Sequence, residues 1–174
     1  MIDELVALVD ETGQVVGSAP RSVVRRDNLR HSATAVLVRD SARRIYLHRR
    51  SDSKDWAPGH WDVAAGGVIV LGEEPHDAAL RELGEELGID GVEPVALGRH
   101  LYEDDTTRCY EYIYEVVWDG PVRHQPEEVV EGHWAALDEL ARVLADPARA
   151  FVPDSRQLLD RLAAARISDY AMLG

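Results

Sequence analysis

The sequence predicts an α/β (α+β) fold in a single domain, and three observations lead there. Its 174 residues suit one domain that buries a core without disulfide or metal staples. Runs of β-branched and aromatic residues alternate with turn formers along most of the chain. One long segment, Pro75 to Leu87, instead carries helical spacing with its own start and stop signals. No internal repeat, low-complexity tract or linker divides residues 1–174.

In chain order, about 5–18 reads as a hairpin turning at Glu11-Thr12-Gly13. An arginine-rich stretch, Pro20 to Arg30, follows. Ser32 to Val38 and Arg44 to His48 are β-rich runs around the polar turn Arg39 to Arg43, which predicts a second hairpin. Ser51 to His60 reads as a loop, and a further loop opens at Ala64-Ala65-Gly66-Gly67. Proline suits the first position of the Pro75–Leu87 helix because its missing N–H would be unpaired there, and Gly88 supplies the stop. Glu93 to Leu101 and Cys109 to Trp118 read as strands, the second setting Tyr110, Tyr112 and Tyr114 on one side of a half-buried strand. Trp134 to Leu137 is expected as a last short strand, and the tail predicts helices over about 138–144 and 154–165, the latter with Asp154 as N-cap.

Hydrophobic residues make up 45% and charged residues 29%, which is globular composition and not that of a disordered or membrane chain. The acidic start MIDELVALVDETG lacks a signal peptide's basic and apolar regions, so a cytoplasmic location is expected. Cys109 is the one cysteine, which predicts a buried, inert thiol. A net charge of −13 argues against nucleic-acid or membrane partners, both of which need clustered cations. It also means that a polyanionic substrate would need a divalent cation or a local basic patch between itself and the protein.

On a helix, Glu82, Glu85 and Glu86 share one arc while Leu80, Leu83 and Leu87 fall on another. A solvated acidic face would account for that pattern alone, yet like charges at i,i+3 and i,i+4 destabilise a helix by roughly 0.2–0.5 kcal/mol per pair. A hard divalent ion, which prefers carboxylate oxygen, relieves that repulsion and bridges to phosphate. Arg81, one turn before Glu85, can fix a carboxylate there or reach Glu73 in the preceding loop.

The whole pattern is more specific. Gly67, Glu73 and then Arg81-Glu82-Leu83-Gly84-Glu85-Glu86-Leu87-Gly88-Ile89 match the Nudix box at every specified position, over residues 67–89. The chain therefore resembles the Nudix hydrolase superfamily, and the element order looks like that family's α/β/α sandwich with a mixed central sheet. The resemblance implies a metal-dependent hydrolase that cleaves a diphosphate linkage in a nucleoside diphosphate derivative, using magnesium with manganese as a substitute. It implies Glu82, Glu85, Glu86 and the Gly66 carbonyl as metal ligands, with Glu73 and Arg81 as the pair that orients the helix. A box glutamate accepts the water's proton in some relatives and a later-loop glutamate in others; within Pro126 to Trp134, Glu128 resembles the later one best.

Arg30 to Ala33, Leu47 to Ser51, Lys54 and Pro58 to Asp62 are similar to the subgroup that includes isopentenyl-diphosphate isomerases. That enzyme uses a cysteine near the strand before the box and a histidine just inside it; here Ala64-Ala65 and Val68 stand in those places. Isomerase chemistry is thus the alternative, and a non-catalytic nucleotide-binding module, expected to show a degenerate box, is a further one. Arg50 and Lys54 are candidates for phosphate oxygens, and His31 for substrate or metal. Trp61 is expected to pack, and Trp56 is open between packing and stacking on a base. The sequence does not name the group attached to the diphosphate, and it leaves oligomeric state open, a homodimer included.

Overall fold

The computed structural model describes residues 3–174. At its centre is β3 (His31–Arg39), buried at every residue. Such a strand is covered on both faces and needs an uninterrupted run of small and apolar residues, which SATAVLV supplies. It pairs in parallel with β8 (Arg108–Val117), from His31 opposite Cys109 to Arg39 opposite Val117. On its other side it runs antiparallel to β6 (Ala64–Val68), from Ala33 opposite Val68 to Leu37 opposite Ala64. Beyond β8 lies β7 (Val95–Glu103), antiparallel.

The N-terminal hairpin, β1 (Leu5–Val9) and β2 (Val15–Pro20), joins at Leu8 opposite His31. β4 (Ile45–Arg50) meets β3 only at Arg39 opposite Ile45 and then splays away to pair with β5 (Trp61–Asp62) and β9 (Val129–Ala135). The expected second hairpin therefore exists only at its turn. The result is one curled mixed sheet between helices. On one face, α2 (Pro75–Leu87) packs Ala79, Leu83 and Leu87 against Val36, Ala65 and Tyr114. On the other, α3 (Leu137–Ala145), α4 (Pro153–Ala164) and a 3₁₀ segment (Ser168–Leu173) pack Leu140, Leu158, Leu159 and Tyr170 against Leu37, Leu47 and Ile113.

Several expectations need correction. Ala64 to Gly67 is a strand and not a loop, because β3 offers a free edge that its backbone groups can pair with. The last strand is Val129–Ala135, beginning earlier than Trp134, and Leu137 already belongs to α3. Leu80 lies at the rim of the helix stripe, and Ala79 takes the core position. The arginine-rich stretch contains a short helix, α1 (Arg21–Arg26), for which no element was expected. In α4, Val152 is the N-cap and Pro153 the first helical residue, so Asp154 sits inside the first turn with its side chain buried. The Tyr110–Tyr114 row packs without a ligand, since Arg99 lies over the Tyr112 ring and Tyr114 enters the core. The opposite row is not solvent-facing: Cys109, Glu111 and Ile113 are all buried.

The C-terminal segment is held by a charge clamp. Arg39 donates from Nη1 and Nη2 to both Asp169 oxygens, at 2.9 and 2.8 Å, and Arg43 adds a bond at 3.0 Å. Those bonds hold the Asp169 carboxyl down to about 2, from an ordinary value of 3.8. A depressed carboxyl stabilises the fold fully above its unfolded value and loses that contribution as pH falls through about 2. Asp169→Asn is therefore expected to lower stability by about 2 kcal/mol at pH 7. In urea melts the gap between the two proteins should shrink as pH falls from 4 toward 2; a gap independent of pH would show that the clamp is not electrostatic.

Candidate active site

The site is built where α2 crosses the free edge of β6. The helix forms there because proline opens it, Asp77 lies in its first turn, and Gly88, at φ 63°, closes it with a left-handed residue whose N–H bonds back to Gly84. Its carboxylate face lies over Gly66 and Gly67. The Gly66 N–H donates to Glu86 Oε2 at 3.2 Å. A strand residue's N–H and C=O emerge on the same side, so the Gly66 carbonyl also faces away from β3 and toward the helix. A Cβ on Gly67 would sit 2.5 Å from Glu82 Oε1, so the absence of a side chain is what lets that carboxylate approach the strand.

Arg81 organises the acids. It donates to both Glu73 oxygens at 2.8 and 3.0 Å, to Glu82 at 2.7 Å, to Glu85 at 3.2 Å and to the Val68 carbonyl at 3.3 Å. Burial works against ionised Glu73, but the Arg81 bonds outweigh it and hold the carboxyl below its ordinary value. Glu82 and Glu86 respond differently. Burial pushes both up, Glu86 to about 7, with neighbouring acids adding to the effect and Lys54 opposing it. Glu85 is exposed.

Lys54 stands between Glu86 and Glu128, with its Nζ 3.3 Å from Glu86 Oε1 and in direct contact with Glu128 Oε2. Glu128 closes the turn before β9, and the loop leading to it is tied to the end of α2 through Arg123 N–H to the Leu87 carbonyl and Gln125 N–H to the Glu86 carbonyl. The box glutamates and Glu128, distant in sequence, are thus brought to one place around an ammonium. Glu131 is not: it sits on β9 and pairs with Arg49. A set of carboxylate oxygens gathered on a cation, with a strand carbonyl beside it, has the donor chemistry of a hard divalent ion site.

A cavity of about 220 Å³ runs from Glu82, Glu85 and Glu128 past Thr34 and Ala35 to the start of α4. Arg50 lines it but is largely occupied by the 51–60 loop, donating to the Ala57 and Trp56 carbonyls at 3.2 and 3.0 Å and lying 3.7 Å from Asp62. His31 also lines it, with Nδ1 bonded to the Leu29 carbonyl at 3.0 Å; burial lowers its pKa to about 4, so the ring is neutral. Trp56 is on the wall, its Nε1 donating to Thr106. Trp61 packs against the core beneath Arg149.

Sequence reasoning missed several charged lining residues, among them Arg21, Arg25, Glu111 and Asp154. Arg21 and Arg25 point inward from one side of α1, a signal present in their i,i+4 spacing. Glu111 and Asp154 form the inner end, and for Glu111 the signal was an acid sharing its row with Cys109 and Ile113. Cys109 is buried beside them, and burial pushes its thiol up, which keeps it protonated.

The NUDIX domain family model matches residues 29–162. The chain is 45% identical over 167 residues to the Nudix hydrolase orf19 of Rhodococcus erythropolis, covering 90% of each chain. It is 36% identical over 156 residues to the Nudix hydrolase YfcD of Escherichia coli (strain K12), covering 90% of this chain and 84% of that one. Among solved structures, DR0079 from Deinococcus radiodurans superposes with a TM-score of 0.77 at 27% identity, over 91% of this chain and 98% of that chain.

If the helix acids form a cation site, millimolar magnesium should raise the melting temperature by mass action. The rise should be much smaller in Glu82→Gln/Glu86→Gln. Gly67→Ala should also diminish it, since a Cβ there would sit 2.5 Å from Glu82 Oε1 and displace that carboxylate. An equal rise in all three proteins would place the ion elsewhere.

Proposed function

Because the chain belongs to the Nudix hydrolase family, a family of pyrophosphohydrolases, we propose that it cleaves the diphosphate linkage of a nucleoside diphosphate derivative with magnesium as its cation. The observation that carries this reading is the convergence of Glu82, Glu85 and Glu128 at one end of a cavity that Arg21, Arg25, Arg50 and Lys54 also line, with Glu86 beside them against Lys54. Acids alone would repel a diphosphate, and bases alone would bind it without activating water. Together they can do both.

When bound, divalent ions supply charge neutralisation at phosphorus and a more acidic water. Glu82 and Glu86 would hold the cation from the helix, with Glu85 nearest solvent and the Gly66 carbonyl across from them. Arg81, fixed by Glu73, keeps the Glu82 and Glu85 carboxylates from turning away. Lys54 occupies the cationic position between Glu86 and Glu128, and it can turn to a phosphate oxygen once its carboxylates are otherwise neutralised. Glu128 is the proposed proton acceptor. Its carboxylate meets the site from a loop and not from the helix, so it is free to face a water on the far side of phosphorus. Manganese, with similar oxygen preference, should substitute.

The alternative of allylic diphosphate isomerisation needs a proton donor and acceptor on both sides of a carbon skeleton. Ala64, Ala65 and Val68 are buried strand residues that can supply neither. The protein is therefore expected to release phosphate or a nucleoside monophosphate in a magnesium-supported screen of nucleoside diphosphate derivatives, and not to exchange solvent deuterium into isopentenyl diphosphate. Deuterium uptake at a rate comparable to phosphate release would reverse that choice.

Glu86→Gln and Glu85→Gln should each lower kcat by at least ~10²-fold with normal circular dichroism, as loss of charge stabilisation at a reacting centre commonly does. Near-native turnover in both would remove the helix acids from the chemistry.

A further inference from the structure

The inner end of the cavity differs chemically from its mouth. Glu111 is 6% exposed and Asp154 8% exposed, and both line the space. One carboxylate oxygen of each and Cys109 Sγ lie within 4.8 Å of one another. Burial raises both acids, Asp154 to about 7 with the charge of Asp62 adding to the effect, and the neighbouring Asp154 carboxylate raises Glu111 further, so the pair holds a proton between its four oxygens. Apart from that proton, the one donor bonded to these oxygens among the described residues is the Ser155 N–H, 2.6 Å from Asp154 Oδ1.

Two nearby donor groups are already committed, although Arg25 Nε, on the cavity wall, has no hydrogen-bond partner. Ser155 Oγ donates to Asp62 at 2.6 Å, and Arg25 Nη1 donates to Thr107 at 3.2 Å. Arg161 Nη1 donates to His100 Nδ1 at 2.7 Å, which puts the ring proton on Nε2. That Nε2 is wholly buried, has no hydrogen-bond partner, and lies 4.0 Å from Glu111 Oε2. At 4.0 Å this N–H is too far to bond Glu111, so the cavity-lining carboxyl gains no donor from it. What the carboxyl pair lacks is donors.

Position agrees. Ala33 pairs with Val68 on one side and Glu111 on the other, so Glu111 lies two strand spacings, roughly 10 Å, from the β6 edge where the helix acids converge. That is too far for the two acid sets to share one ion, whose ligand distances are about 2.0–2.6 Å. It is in reach of a group attached to a diphosphate held at the helix. The floor between them is Ala33, Ala35 and Gly66, which leaves the path open.

We propose that Glu111 and Asp154 form the subsite for the small group linked to the diphosphate, and that they select a group carrying hydrogen-bond donors, either hydroxyls or a primary ammonium. The nucleoside, too bulky for the inner end, then lies at the mouth near Trp56. This inference rests on the hydrolase reading above and deepens it by naming the substrate class.

The test uses four probes sharing one nucleoside and one diphosphate: the cytidine diphosphate esters of glycerol, ethanolamine, choline and propanol. Glycerol offers hydroxyls, ethanolamine an ammonium with N–H groups, choline a charge without donors, and propanol neither. With magnesium, kcat/KM for glycerol or ethanolamine should exceed that for propanol at least tenfold, with choline near propanol. Glycerol ahead of ethanolamine would identify a polyol and the reverse an amino alcohol. In Glu111→Gln and in Asp154→Asn the preference should fall at least tenfold, while melting temperature holds or rises as a buried acid is removed. A propanol ester cleaved as well as the others, or a preference unchanged in both variants, would overturn the subsite and leave the hydrolase reading intact. If no probe is cleaved, the melting-temperature shift each gives is the deciding readout: a donor-dependent shift lost in Glu111→Gln keeps the subsite while the hydrolase reading falls, and equal shifts overturn it. A stoichiometric metal retained by Glu82→Gln/Glu86→Gln and lost from Glu111→Gln would also overturn it, by making Cys109, Glu111 and Asp154 a cation site.

Discussion

Glu82 and Glu86 are carboxylates buried one helical turn apart, and much of the surrounding structure exists to keep them so. In water their repulsion would be slight; at the sheet edge, where the effective dielectric is lower, it is several times larger and adds to the loss of hydration. Two cations offset it from opposite ends. Arg81 does so from within the helix, locked in place by Glu73, and Lys54 does so from the 51–60 loop. The loop in turn is held by Arg50, which donates to two of its carbonyls. Remove any member and the next loses its reason for position.

The sheet sets the other half of the arrangement. Helix α2 lies on one face and α4 on the other, and a full-width strand with side chains would keep the helix acids apart from the α4 side. The edge strand β6 instead carries Gly66 and Gly67 where the helix crosses it. Carboxylates from one layer can therefore reach a cavity whose inner end belongs to the other. Small residues on β3 make the space: Ala33 and Ala35 leave room that larger apolar side chains would fill.

Local signals carried the parts of this that were legible in sequence. Helix α2 was readable to its ends because a proline, a leucine stripe and a glycine stop all lie within it, and the box glutamates came with it. The Glu73 and Arg81 pairing was readable because its partners are eight residues apart in one motif. What was not legible depends on pairing at long range. Ala64 to Gly67 has loop composition and becomes a strand only because β3, some thirty residues earlier, offers its edge. Val129 to Ala135 likewise gains its pairing from β4. Glu111 looked like the outward residue of an alternating strand, and only the α4 layer, more than forty residues later, covers it. Lys54 was read as a candidate phosphate ligand from its charge and its place before the helix; that Glu86 and Glu128 flank it was not legible.

This division separates chemistry from selection within one cavity. The acids of α2 are the ones proposed to address phosphorus, a feature common to every diphosphate, and their geometry is fixed by contacts inside α2, β6 and the 51–60 loop. The proposed selecting acids are held by a different set, in which Ser155 bonds Asp154, and Arg161 orients the His100 ring that faces Glu111. Among the described residues no side-chain hydrogen bond joins the two sets directly; Arg50, on the loop side, lies 3.7 Å from Asp62, which Ser155 Oγ also bonds. Changing the inner wall should then alter which substrate is held without moving the helix acids, since residues that share no partner act nearly independently. The same separation explains why a complete box announces the reaction while leaving its substrate unnamed. The box lies wholly in the first set, and the residues proposed to read the attached group lie wholly in the second.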